Sequence, residues 1–305
     1  MSEESQSPEE PHGEGPSSPP DDPSSLQQDV PRSKLITQFV VFPVAIVLLG
    51  VSIYLFLGIL TSENSTASDC LDTIRRGGIN SRWQAAYELV KVLSVEQREG
   101  TLDPRFAGEI VRVFESSIHD DPRVRRYLAR AMELVGSPTV VAALIGALED
   151  SDEETRLYAI HSLGGLRAEA SVSFLLRFAT DEDAGFRKSA IYALGQMEDA
   201  RVSEALGFAL NDRVADVRWN AALQLARRGD DSGERILEEM MHRPFLETLE
   251  MSEEQRVTAM VYAIRSVGAL KLNRWKDPIV VLKSEDPSMK VRQAAIEVVE
   301  AWETP

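Results

Sequence analysis

Residue types that do chemistry are few in this 305-residue chain, and they are poorly placed for it. The histidines, His12, His119, His161 and His242, are scattered with no metal-ligand spacing. A Walker loop, G-x-G-x-x-G, H-E-x-x-H and C-x-x-C are all absent. The single cysteine, Cys70, cannot form an intrachain disulfide, and cysteine usage leaves the redox compartment open. The "ASDC" before it puts Asp69 where a lipoprotein cleavage site needs a small residue, so Cys70 reads as structural. No catalytic residue, cofactor, metal ligand or small-molecule substrate is expected. What does recur is an acid six positions before an arginine: Asp150 and Arg156, Asp181 and Arg187, Asp212 and Arg218, Asp286 and Arg292. Carboxylates and guanidinium groups form strong charge-assisted hydrogen bonds. Their repetition assigns these pairs to the stacking of like units, as a ladder between successive loops, and not to a reaction.

The elements that carry the pairs repeat with them. From Arg187, offsets of three, four and seven give Ala190, Ile191 and Leu194, followed by Gly195. Thirty-one residues earlier, Arg156 is followed by Ala159, Ile160, Leu163 and Gly164. Thirty-one later, Arg218 is followed by Ala221, Ala222, Leu225 and Ala226. Arg125 lies a further step of 31 back, and looser copies centre on Arg82, Arg256 and Arg292, with spacings of 43, 31, 31, 31, 38 and 36 along the series. Twelve residues before the regular arginines stand Val113, Leu144, Leu175 and Leu206, inside apolar runs of helical period. Each unit therefore reads as helix A, a short acidic loop and helix B. Start signals agree at Asp103-Pro104, Asp121-Pro122, Ser137-Pro138 and Asp286-Pro287, and "SEEQ" at 252–255 fits a capping box.

Paired helices at a period of 30 to 40 residues predict an all-α fold, an α-solenoid of about seven helix pairs over residues 68–303. The unit D-x-x-x-x-V-R-x-x-A-x-x-x-L-G resembles HEAT repeats, in particular the short form of the phycobilisome-lyase type. The resemblance implies an architecture and no single function, since such repeats occur in scaffolds, adaptors and a few enzymes. One enzyme class built this way, the deoxyhypusine hydroxylases, carries repeated His-Glu pairs that bind iron. Here the histidines are followed by Gly13, Asp120, Ser162 and Arg243, so that signature is missing.

Binding is the better expectation. With −1, +3, +4 and +7 facing the core, positions +1 and +5 share the other side of helix B, which lines the concave surface in solenoids that this chain resembles. Along the chain they read Trp83/Tyr87, Arg126/Arg130, Leu157/His161, Lys188/Tyr192, Trp219/Leu223, Val257/Val261 and Gln293/Glu297. Trp83 and Tyr87 are assigned to the core of the first unit. Arg126, Arg130, Leu157, His161, Lys188, Tyr192, Trp219 and Leu223 are the candidate partner-binding residues. An exposed Trp219 beside Leu223 is the expected anchor; Arg126, Arg130 and Lys188 offer charge to an acidic partner.

The first 34 residues are of another kind. They hold seven of the 15 prolines and eight acids against Arg32 and Lys34, too little apolar content to fold, and read as a disordered acidic tail. Residues 35–60 are apolar and uncharged, which predicts a transmembrane helix over 35–61, followed by a linker over 62–67. Arg32 and Lys34 abut its N-terminal side, predicting a cytoplasmic tail and a solenoid across the membrane, in the periplasm of a Gram-negative source. The net charge of −16 argues against nucleic-acid binding. The sequence thus predicts a membrane-anchored scaffold or adaptor for a protein partner. The alternatives are a HEAT-type enzyme, bilin-lyase-like or hydroxylase-like, and an accessory subunit of a membrane complex.

Overall fold

The computed structural model describes residues 41–61 and 65–303, so the tail over 1–34 lies outside the described residues. The chain divides into two units, Met1–Asn64 and Ser65–Pro305. Helix α1, Phe42–Thr61, belongs to the first, and its described side chains are exposed. The expectation of a membrane span over 35–61 is corrected here: among the described residues no helix is long and apolar enough to cross a membrane. The anchor, the embedding of residues 35–60, the single-pass topology and the placement of tail and solenoid on opposite sides of a membrane are withdrawn together.

The second unit is helical throughout, with no strand among its described residues. Its helices alternate as the repeat predicts. The A helices are α2 (Ala67–Arg76), α4 (Phe106–Ser116), α6 (Val141–Ala147), α8 (Val172–Phe178), α10 (Ala200–Ala209), α12 (Glu234–Met241) and α15 (Lys276–Glu285). The B helices are α3 (Ile79–Glu99), α5 (Pro122–Val135), α7 (Glu153–Gly165), α9 (Ala184–Leu194), α11 (Ala215–Arg227), α14 (Glu253–Ala269) and α16 (Met289–Glu303). A short extra helix, α13 (Arg243–Glu247), separates α12 from α14. Each B helix packs on its own A helix and on the next B helix.

Capping residues set many of the helix starts. Asp121 accepts from the Arg123 N–H ahead of Pro122, Asp152 from Thr155, and Asp183 from Gly185 and Phe186. Ser252 and Gln255 form the capping box of α14. The repeat's apolar positions fill the core: Ala159, Ile160 and Leu163, then Ala190, Ile191 and Leu194, then Ala221, Ala222 and Leu225, are all fully buried or nearly so. At about 1.5–3 kcal/mol per large aliphatic side chain, this seam supplies the main driving force for stacking. Gly164 is small for a reason: a Cβ there would lie 2.7 Å from Ala193 Cα on the next B helix.

The Asp–Arg pairs form a ladder, though not with the partner six residues away. Nη1 of Arg156, Arg187, Arg218 and Arg292 donates to the backbone carbonyl of Asp150 (2.8 Å), Asp181 (2.9 Å), Asp212 (2.9 Å) and Asp286 (2.5 Å), closing its own loop. The carboxylates of those aspartates instead accept from the backbone N–H two residues on, at Asp152, Asp183, Val214 and Ser288. Each loop is thereby an Asx turn. Between units, the carboxylate takes the arginine of the preceding unit. Arg125 holds Asp150 through two bonds of 2.7 and 2.9 Å, and Arg187 holds Asp212 in the same way at 2.7 and 2.9 Å. Burial pushes the Asp150 carboxyl up, but the bonds from Arg125 and the Asp152 N–H outweigh it and hold the group below its ordinary value. The ladder is interrupted between these two rungs and again after them. Arg156 lies over the Phe186 ring, 4.9 Å from its centroid, and Arg218 reaches Glu239 only at 3.9 Å. Asp286 is held by Arg243 of the inserted helix, at 2.9 and 3.0 Å.

The insertion divides the core as well. One apolar cluster runs from Ala67 to Leu225 and a second from Trp219 to Val299, so the two meet at α11. Of the successive B-helix joints, the one between α11 and α14 is the least closely packed.

Candidate protein-binding face

The B-helix side is grooved where that joint loosens. Three adjoining cavities, of about 490, 700 and 510 Å³, run from α9 across α11 and α14 to α16. Tyr262 lines all three, while Asn220 and Leu223 line the first two. Tyr262 is 54% exposed and Tyr192, at the α9 end, 43%. Met289 is exposed at the α16 end. An open face that offers aromatic rings, thioethers and aliphatic side chains has the composition of an interface centre.

The candidate residues are sorted by this geometry. Tyr192 and Leu223 line the groove. His161 is solvent-facing and packs against Tyr192, with ring centroids 6.0 Å apart. Partial desolvation of its ring by the surrounding residues pushes the imidazole below its ordinary value; Arg130 and Lys188 act in the same direction, and Glu133 opposes them. Leu157 is half-buried against the core.

The expected anchor, Trp219, is not exposed. Only 5% of it is accessible, within the cluster that also holds Met240, Leu246 and Val257. The physical reason is the inserted segment before α14, whose Leu246 joins the apolar cluster around the ring. The indole Nε1–H is buried without a hydrogen-bond partner, a situation that costs about 1–3 kcal/mol when nothing accepts from the donor.

The three expected cations are already engaged. Arg126 chelates Asp152 at 2.7 and 2.8 Å and reaches Glu154 at 2.5 Å. Asp152 is also the N-cap of α7, so Arg126 staples one B helix to the start of the next. The hydrogen bond from Arg126 holds the Asp152 carboxyl well below the carboxylate range, against the opposing effect of burial. Arg130 pairs with Glu133, and Lys188 with Asp216 at 3.2 Å. The sequence carried a signal for two of these pairs, because Glu154 and Asp216 each stand 28 residues after their cation.

The residues that sequence reasoning missed lie mostly on α14. There Val257 is buried and Val261 half-buried, whereas Thr258, Tyr262 and Arg265 face solvent. The exposed face of α14 is turned by about one residue relative to α9, where Lys188 and Tyr192 mark it. The lengthening of the step from 31 to 38 residues between Arg218 and Arg256 was the only hint of this turn. Trp83 and Tyr87 also form contacts that the repeat does not dictate. The Arg123 guanidinium stacks on Trp83 at 4.3 Å, and Tyr87 meets Tyr127 edge-on at 5.3 Å. Trp83 is half-buried but Tyr87 is 45% exposed, so only the first is covered as expected. Among the described residues no three or more metal-ligating side chains converge.

Comparison with known proteins agrees with the geometry of stacked helix pairs. Residues 113–195 match HEAT repeats, and residues 186–212 match the PBS lyase HEAT-like repeat. The HEAT-type matches thus lie within residues 113–212 of the solenoid. A similar solved structure is the complex of CpcE and CpcF of phycocyanin lyase from Nostoc sp. PCC7120, at 15% identity and a TM-score of 0.50. The match covers 78% of this chain and 94% of that one, and shows the fold alone. Human deoxyhypusine hydroxylase (16% identity, 82% of this chain and 99% of that one) superposes only loosely, with a TM-score of 0.35. An engineered protein (15% identity, 78% and 96%) does so with a TM-score of 0.43. No curated protein is significantly similar in sequence.

Proposed function

We propose that this HEAT-repeat solenoid is a non-catalytic scaffold that holds a segment of a protein partner along the groove over α9, α11, α14 and α16. The observation that carries the reading is the run of three adjoining cavities centred on exposed Tyr262 and ending at Tyr192 and Met289. Aromatic side chains give large contact area at low entropic cost and dominate interface energetics. Binding without turnover also fits residues whose polar groups are mostly spent on one another, as in Arg126–Asp152 and Lys188–Asp216.

The test is photocrosslinking from position 262, with position 208 on the A-helix side as control, followed by reconstitution with the partner identified. Tyr262→Ala is expected to weaken the reconstituted complex by about tenfold or more and to leave the thermal melt unchanged, because the side chain is exposed. Crosslinks from Phe208 with none from Tyr262 would move the function to the other face. Stoichiometric iron or a bound chromophore in the purified protein would overturn the non-catalytic reading.

A further inference from the structure

We infer that the cavity between α11 and α14 seats a cationic side chain, lysine or arginine, of an extended partner segment, and that a backbone carbonyl of the same segment accepts from Trp219 Nε1. The inference rests on the reading of this face as a protein-binding surface and gives the partner a chemical class. That class is opposite to the one expected from Arg126, Arg130 and Lys188, of which Arg126 and Arg130 are paired with carboxylates outside this cavity.

The cavity, of about 700 Å³, is lined by two charged residues, Asp216 and Glu254, and both are carboxylates. Glu254 is exposed. Asp216 meets Lys188 at 3.2 Å, with both side chains about half exposed; a pair so open to solvent is weak and exchanges readily for another cation. The remaining walls suit the stem of a long basic side chain. Trp219 and Tyr262 present rings that attract cations, and Met240 and Met251 present adaptable thioethers.

The unpartnered indole supplies the second half of the argument. Trp219 lines this cavity while only 5% exposed, and its Nε1–H, which can only donate, has no acceptor. Buried donors are almost always satisfied. An extended chain brings a row of carbonyls past the site, and small side-chain adjustments of the kind common at interfaces let one of them complete the bond. Charge balance points the same way. Residues 35–305 hold 33 − 2 = 31 basic and 49 − 8 = 41 acidic residues, a net charge of −10, which draws a basic segment towards the solenoid.

The experiment measures binding of fluorescent dodecapeptides to the full chain by anisotropy at low and high salt. One peptide alternates Arg with Leu, a second Glu with Leu, and a third Gln with Leu. The Arg peptide is expected to bind in a salt-sensitive manner and at least about tenfold more tightly than the Glu peptide. Asp216→Asn with Glu254→Gln should bring the Arg peptide to within about threefold of the Gln peptide, by removing the charge preference. Trp219→Phe keeps an aromatic ring and removes the donor, and should weaken binding by about three- to tenfold. Glu254→Gln alone, at an exposed position, reads the electrostatics even where Trp219→Phe disturbs folding.

Equal binding of Glu and Arg peptides, unchanged affinity in the carboxylate variants, or no binding of the Arg peptide would overturn the inference. A partner crosslinked from position 262 while the Arg peptide fails would leave the scaffold reading standing and remove only the charge class. Carboxylate-dependent peptide binding without any crosslinked partner would do the reverse.

Discussion

Asp212→Ala and Asp181→Ala form a matched pair that isolates one rung of the ladder. Both carboxylates close an Asx turn, on Val214 N at 2.8 Å and on Asp183 N at 2.9 Å. Only Asp212 also receives the preceding unit's arginine, Arg187, through two bonds of 2.7 and 2.9 Å. The two side chains of that pair are 6% and 12% exposed. Removing one partner of such a buried pair strands the other and costs about 3–5 kcal/mol, whereas losing a turn or cap bond costs about 1 kcal/mol. Asp212→Ala should therefore destabilise the solenoid by about 2–4 kcal/mol more than Asp181→Ala does.

Urea unfolding followed by far-ultraviolet circular dichroism reads the difference. At about 2–4 °C per kcal/mol for a domain of this size, the two variants should melt on the order of 10 °C apart. Acid supplies an internal check. The hydrogen bond from Arg187 holds the Asp212 carboxyl below its ordinary value, against the effect of burial. A depressed folded-state pKa contributes stability above the unfolded-state value and loses it as pH falls through the folded-state value. The gap between wild type and Asp212→Ala should accordingly narrow below about pH 4, near the unfolded-state carboxylate range. Equal losses for Asp181→Ala and Asp212→Ala would refute the cross-unit pairing and restore the acid six residues before the arginine as its partner.

Two further substitutions separate architecture from recognition. Arg126→Ala should cost about 1.5–3 kcal/mol, the range for hydrogen bonds to charged groups, since it frees the N-cap Asp152 and Glu154. Partner affinity should meanwhile change by less than about threefold; a large loss of affinity with an unchanged melt would return Arg126 to the binding face. Gly164→Ala should destabilise by about 1–3 kcal/mol through overpacking, because the new Cβ meets Ala193 Cα at 2.7 Å. An unchanged urea midpoint would show that α7 and α9 separate without cost.

The sequence by itself determined the repeat, the helix pairs and the register of the core. Those are local matters: a helical period of apolar residues, Asp or Ser caps, and an arginine that bonds to carbonyls five and six residues back within its own loop. Tyr192 and Leu223, which the spacing offers as partner-binding candidates, line the groove. The tertiary structure decided what depends on how one unit meets the next. Whether Arg187 takes the acid six residues before it or the one 25 residues after is settled by the approach of two loops, which no local pattern contains. The same holds for Arg126 and Lys188, which spacing alone presented as free charges and which the following B helix neutralises. Most of all, the extra segment around α13 buries Trp219, loosens the joint between α11 and α14, and turns Tyr262 outward in place of Val261. A helix's period fixes which residues share a face; the packing of its neighbours fixes which way that face points.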